Sequence, residues 1–319
     1  MKRVVVYGDL NLDIIYFVEA EDLYLRDVSY ISRGAVVQPG GVAGNFSVAI
    51  RRLDIPAKPL STVGYDVVAD LLLKNLEDER VETKLVSRVR EEPTGVMSII
   101  VTPSGRRTII GYRGANKYNV LDEGRISQAL SRADYVFIYG FVVNNIDDSR
   151  SLVELVNYAA REGVGVGVDI GGIPRSKASI LLQIRGKVSH LFVNIDELAE
   201  VLGYASLEAA EYLYKALEPK ALFLKMGSQG AVAYYDGKRI YKPAFKVRAI
   251  DTTGCGDAFN AGVVYAILND YDYEDALLLG NAMGSYKAQG IGPKYLPSSL
   301  KELEDFIEIH KEALQLTGN

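Results

Sequence analysis

Residues 250–268, IDTTGCGDAFNAGVVYAIL, set two glycines around a cysteine, then an aspartate, then a nearly unbroken apolar run. The run reads as a buried helix with Asp257 in its first turn. Glycines at a helix start let the backbone approach a ligand, and the N–H groups left unpaired there form an anion site. Taken alone, Asp257 is either a carboxylate favoured by the helix macrodipole or a base beside that anion site. Cys255 also has two readings. A thiol at a helix N-terminus can be activated as a nucleophile, but no histidine accompanies it in the local sequence, which leaves mainly its backbone N–H.

Outward from this segment, short apolar runs alternate with helical spacings. Residues 2–7, 135–139, 163–169, 190–193 and 221–224 are predicted strands, and 44–53, 147–161, 207–217, 273–287 and 298–313 are predicted helices. This alternation predicts an α/β fold with a mostly parallel central sheet covered by helices on both faces. Two stretches, about 13–37 and 83–112, break the rhythm with alternating apolar residues, as in VSYISRGAVV and GVMSIIVTPSGRRTIIGY. They predict a small second sheet built from two insertions in one domain over 1–319, standing over the ligand cleft as a lid. Its outer face is a candidate homodimer contact, against the plainer reading of surface hairpins.

Composition removes several classes of function. At 319 residues, 48% apolar and a formal net charge of −5, the chain has the profile of an ordinary soluble enzyme, not a disordered or nucleic-acid-coating protein. Its acidity does not exclude a phosphorylated ligand, because phosphate groups are met locally by backbone N–H groups and a few cations. The single cysteine rules out an intrachain disulfide or a cysteine zinc cluster, and His190 and His310 form no HExxH element. Lys2 and Arg3 precede an apolar run that Asp9 and Asp13 break before signal-peptide or membrane length, so a cytoplasmic location with no membrane partner is expected. No Walker A loop is present. The string GVGVGVD at 163–169 superficially matches a dinucleotide fingerprint, but its glycines fall inside a predicted strand, which weighs against a nicotinamide-dependent oxidoreductase.

Two motifs then carry a resemblance over essentially the full chain. DTTGCGDAF at 251–259 matches the DTxGxGD signature of the ribokinase-like (phosphofructokinase B type) carbohydrate and nucleoside kinases, and GGVAGN at 40–45 matches their GGxxxN signature. The resemblance implies a ribokinase-like three-layer fold and ATP-dependent phosphorylation of a hydroxyl on a small sugar or sugar acid. It makes Asp257 the base and the N–H groups of Gly254, Cys255 and Gly256 the anion hole. Asn11, Asp13, Gly40, Gly41 and Asn45 would hold the substrate hydroxyls. For ATP and Mg2+ it offers Asn194 and Glu197 near the phosphates, the KMGSQG loop with Lys225, Gly227 and Gly230, and Asn281 beside the adenine. Without the family, Glu197 is as easily a first-turn helix residue and Lys225 a solvated strand end. The resemblance also implies a monovalent cation, K+, held by Asp251, the Thr253 carbonyl and the Gly290 region.

The substrate half departs from the family. Ribokinases proper carry GGKGAN, whereas Val42 stands here in the lysine position. Arg113, before a ribokinase-like Gly114-Ala115-Asn116 triplet, resembles the arginine that 2-keto-3-deoxygluconate kinases set against a carboxylate. Arg106 and Arg107 could reach a phosphorylated sugar, but their position in a turn favours plain solvation. The residues are also compatible with a nucleoside kinase of the same fold, with Tyr16, Phe17 and Tyr112 lining an aromatic pocket, and with a catalytically silent binding relative.

Overall fold

The computed structural model describes residues 2–22, 24, 27, 29–104 and 106–315, with side chains to 310. Leu23, Leu25, Arg26, Val28 and Gly105, which belong to the two stretches read as a lid, lie outside the described residues.

The first half of the chain runs β1 (Val4–Tyr7), β2 (Asn11–Phe17), β3 (Gly34–Gly40), α1 (Val42–Arg52), β4 (Ala57–Gly64), α2 (Val67–Asp78), β5 (Val86–Val89), β6 (Gly95–Val101), β7 (Arg107–Tyr112), α3 (Glu123–Leu130), β8 (Tyr135–Tyr139) and α4 (Arg150–Arg161). It continues through β9 (Gly165–Asp169), α5 (Ile180–Gln183), β10 (His190–Asn194), α6 (Ile195–Leu202), α7 (Leu207–Leu217), β11 (Ala221–Lys225), β12 (Ala231–Tyr235), β13 (Lys238–Lys242), α8 (Cys255–Leu268), α9 (Tyr273–Ala288) and α10 (Leu300–Gln315).

The large sheet has the order β13-β12-β11-β10-β9-β8-β1-β4-β5, parallel from β11 to β5 and finished by an antiparallel hairpin. Alternate residues of its strands feed two separate cores. Phe137, Phe192 and Phe223 face α1, α8 and α9, whereas Val136, Ile138, Leu191 and Leu222 face α3, α4, α6 and α7. Burial on both faces is why β1, β8 and β11 read as unbroken apolar runs. The helix read first from the sequence, α8, is buried almost all round, between α1 and α9 and against the sheet.

A smaller sheet, β3-β2-β6-β7, stands over the carboxyl end of the large one as a lid. Within it β2 runs antiparallel to β3, pairing Asn11 with Gly40, and parallel to β6, pairing Asn11 with Gly95. Strand β5, inside the 83–112 stretch, lies instead at the edge of the large sheet, parallel to β4.

Element boundaries differ from the sequence expectation where a side chain or a left-handed residue intervenes. The helix expected from 147 begins at Arg150, because Asp148 and Ser149 are left-handed (φ 48° and 75°) and Asp147 accepts from the Ser151 N–H at 2.7 Å. The helix expected from 44 begins earlier, at Val42, behind Gly41 at φ 85°. A Cβ on Gly41 would lie 2.5 Å from the Asp9 carbonyl oxygen and 2.6 Å from the Asn11 nitrogen, so only glycine fits where β3 turns into α1. No helix among the described residues is long and apolar enough to cross a membrane.

Candidate active site

Strand order reverses around β1, whose neighbours β4 and β8 lead away in opposite directions, and a ligand crevice opens at the carboxyl end of such a strand. The loop between β1 and β2, the end of β8 and the start of α8 meet there. Gly254 caps α8 in the left-handed conformation (φ 79°), and its α-carbon face packs on Pro293, which a Cβ would meet at 2.6 Å. Among the described residues the N–H groups of Gly254 and Gly256 have no partner, while that of Cys255 donates to the Thr252 carbonyl at 3.2 Å. The expected anion hole therefore has its free donors at the two glycines. Burial pushes the Cys255 thiol up to about 11, which removes the basis for an activated nucleophile.

Asp257 is buried in the first turn of α8. Its Oδ1 accepts from the Tyr139 hydroxyl at 2.8 Å and its Oδ2 from Asn45 Nδ2 at 2.9 Å. Burial raises its pKa to about 6, and the two donors act against that rise. Asp13 is raised to about 7, by burial and then by the negative charge of Asp257. Asp13 lies against Gly40, where a Cβ would fall 2.0 Å from Oδ2. The amide oxygen of Asn45 is buried with no partner among the described residues, an acceptor left over beside Asp257.

Asn116 places the rest of this loop. Its side chain accepts from the Leu10 N–H at 3.0 Å and donates to the Leu10 carbonyl at 3.0 Å and to Asn11 Oδ1 at 2.8 Å. Arg113 spends its fork on the protein: Nε and Nη2 bond Asp9 at 2.8 and 2.7 Å, and Nη2 also reaches Asn145 at 3.0 Å. Only its Nη1, buried without a partner among the described residues, is free for a ligand. The lid arginines divide. Arg106 pairs with Glu21 and Asp22, but Arg107, expected to be solvated, donates to the Thr253 hydroxyl at 3.2 Å and so links the lid to the start of α8.

On the other side of Asp257, Lys225 is buried at the end of β11, its Nζ 2.6 Å from Asp169 Oδ2. Asn260 Nδ2 donates to the same oxygen at 2.6 Å, and the Gly171 N–H donates to Oδ1 at 2.9 Å. The Lys225 ammonium lies 3.7 Å from where a Cβ on Gly256 would be, beneath the anion hole. Asn194 and Glu197 form a reciprocal capping box, Asn194 Oδ1 accepting from the Glu197 N–H at 2.8 Å and Glu197 Oε2 from the Asn194 N–H at 2.7 Å. Glu197 is raised to about 7, chiefly by burial and then by Asp169. A cleft of about 390 Å³ runs outward from Cys255 and Gly256 past Gly227, Gly230 and Phe245 to Asn281, whose amide donates to the Lys242 and Pro243 carbonyls. A larger groove, about 1030 Å³ between α3 and α4, is lined by none of these residues.

The site expected to hold K+ does not fit one, because at Asp251 and Gly290, two of its three positions, the oxygens are already bonded, in part to a buried ammonium. Asp251 Oδ1 and Oδ2 accept from the N–H groups of Thr253 and Gly292, both at 2.8 Å, and the carbonyls of Asp251 and Gly290 accept from the Lys287 ammonium at 2.6 and 3.1 Å.

Sequence reading missed Tyr139, Asp169, Asn260 and Lys287, and took Arg107 for a solvated turn residue. Tyr139 and Asp169 end parallel strands facing the crevice, and that position was the available signal. Two glycines of the GVGVGVD string serve packing, since a Cβ on Gly165 or Gly167 would meet the Tyr135 side chain at 2.6 Å, while Gly163 takes a left-handed turn (φ 71°) before the strand.

An α/β sheet with a crevice at its switch point, a helix N-terminus aimed into it and a lid above defines a protein built to enclose a small molecule. The pfkB family carbohydrate kinase model matches residues 1–299, and the chain belongs to that family. It is 29% identical over 302 residues to an ATP-dependent ribose-1-phosphate kinase of Halopiger xanaduensis, covering 94% of this chain and 96% of that protein. Among solved structures it is similar to Arabidopsis thaliana ribokinase complexed with ribose and ATP, with a TM-score of 0.81 at 24% identity over 97% of this chain and 99% of the other. A nucleoside kinase of Methanocaldococcus jannaschii gives 0.80 at 24% identity, over 97% and 99%. Family membership sets kinase activity in place of nicotinamide-dependent oxidation.

Proposed function

We propose that this kinase transfers the γ-phosphoryl group of ATP to a hydroxyl of a small sugar or sugar acid, with Asp257 as the base. The observation that carries the reading is the Asp257 carboxylate, buried between Asn45 and Tyr139 directly after the free N–H groups of Gly254 and Gly256. The substrate hydroxyl lies between Asp257 and the γ-phosphoryl group, and its proton passes to Asp257 as its oxygen attacks. Asp13 and the unpaired Asn45 oxygen accept from neighbouring hydroxyls, and Asn11 completes the same wall. Gly254, Gly256 and the Lys225 ammonium meet the charge on the transferred group. The lid excludes water as a competing acceptor.

Among the described residues no three acidic side chains converge as a ready-made metal site, and the oxygens of Asp169 and Asp257 are taken by protein donors, which leaves Glu197, beside the buried Lys225–Asp169 pair, as the carboxylate nearest the Mg2+ of a bound nucleotide. Glu197 and Asn194 would hold it largely through water and phosphate oxygens, where it neutralises phosphate charge. The cleft leading to Asn281 suits the nucleoside of ATP. Val37, Ile109 and Ile110, each more than half exposed on the lid, support a homodimer formed there. A cytoplasmic location accords with the lone cysteine.

The acceptor is tested by following ATP consumption over pentoses, hexoses, sugar acids, inositols, sugar phosphates and nucleosides. Turnover should be highest with a sugar or sugar acid; preference for a nucleoside, or ATP loss independent of every acceptor, would overturn the assignment. With the acceptor in hand, the raised Asp257 carboxyl fixes the acid limb. Asp257 must be ionised to take a proton, so kcat/KM should rise with pH through about 6 and level off above it. The same limb persisting in the residual activity of Asp257→Asn would assign it to another group, such as Asp13 or Glu197, both raised to about 7.

A further inference from the structure

Lys287, in the last turn of α9, has 0% of its surface exposed. Its ammonium donates to the carbonyl of Asp251 at 2.6 Å and to that of Gly290 at 3.1 Å, and stands 3.7 Å from Asp251 Oδ2. Burying an ammonium is costly unless oxygens replace its water, and two carbonyls and a carboxylate do so here. The same carboxylate bonds the N–H groups of Thr253 and Gly292, so one charge joins the loop 251–254 to the loop 290–293. Gly254, packed on Pro293, opens the anion hole directly above this junction. An ammonium group and a potassium ion are close in size and ask for the same oxygen donors, so the two compete for one position.

We propose that Lys287 occupies the place of a monovalent cation and orders the anion-hole loop from within the chain, as a positioning residue, making the kinase independent of K+. The activity arm of the test rests on the kinase reading above; the other arms do not.

The first measurement compares the wild type in KCl, NaCl and tetramethylammonium chloride at equal ionic strength. Turnover should differ by less than about twofold, with no melting-temperature gain specific to K+. Crystals soaked in RbCl should show no anomalous peak between Asp251 and Gly290. Lys287→Ala should lose at least about tenfold in turnover in tetramethylammonium chloride and recover selectively in KCl, with a K+-specific rise in melting temperature. Severalfold activation of the wild type by K+, or a rubidium peak at the Asp251 carbonyl, would overturn the proposal. So would a loss in Lys287→Ala that no cation restores, which marks a lysine needed only for packing. Should that variant not fold, the wild-type salt series and the rubidium soak still decide. Should no acceptor give turnover, the kinase reading fails and the thermal and anomalous measurements still decide the cation question.

Discussion

Asp257→Asn should lower kcat by about 10³, the usual scale for removing a positioned general base and equivalent to roughly 4 kcal/mol of barrier. The substitution keeps the volume of the side chain and one oxygen acceptor. Tyr139 can still donate to that oxygen, while the new amide nitrogen faces the Asn45 amide, whose flip restores a donor–acceptor pair through its otherwise unpaired oxygen. ATP affinity should be nearly unchanged, because the cleft from Gly256 to Asn281 is left intact. Stability should hold or rise, since a buried carboxylate whose protonation is favoured by its surroundings is replaced by a neutral group. Steady-state kinetics, nucleotide titration and thermal melting on one preparation separate the outcomes. Turnover near that of the wild type would end the assignment, and a collapse of melting temperature would recast Asp257 as structural.

The second large effect is on stability. Asp169→Ala should cost about 3–5 kcal/mol, because it strands a buried ammonium. Asp169 accepts from Lys225, Asn260 and the Gly171 N–H, and Lys225 is carried above its ordinary pKa despite burial chiefly by Asp169. Glu197 and Asp257 are the remaining negative groups near it. Urea denaturation should show the midpoint falling sharply for Asp169→Ala, and the double variant Asp169→Leu with Lys225→Met should regain much of the loss. A single-variant cost under about 1 kcal/mol would show the pair to be as weak as an exposed one.

Much of this site was legible because its glycine motifs are local. The left-handed Gly41 and Gly254 start helices α1 and α8, and the requirement for glycine is written at the position where it acts. The strand runs were legible for a similar reason, since burial on both faces leaves unbroken apolar segments. Asp169 and Tyr139 close runs that were correctly read as strands, but nothing in their neighbours distinguishes a ligand-facing strand end from an ordinary one. Lys287 is harder still. In sequence it is a basic residue in the last turn of a helix, where the macrodipole alone would favour it, and its partners come from turns on both sides of α8 and α9. Arg107 was read as solvated because a turn residue usually is; the closeness of the lid to Thr253 is a tertiary fact. Glu197 illustrates two readings that are both physical, since the capping box that explains its place in the helix also buries it beside Asp169.

The bond between Asn45 and Asp257 joins residues 212 positions apart. A nascent chain that has not yet released α8 therefore carries Asn45 without the carboxylate it bonds. Bringing such distant segments together costs loop-closure entropy that nearer contacts avoid, so the crevice is expected to assemble after the nearer contacts. On the proposed assignment of Asp257, a chain cut short before α8 should therefore show no transfer, however well its first two thirds fold.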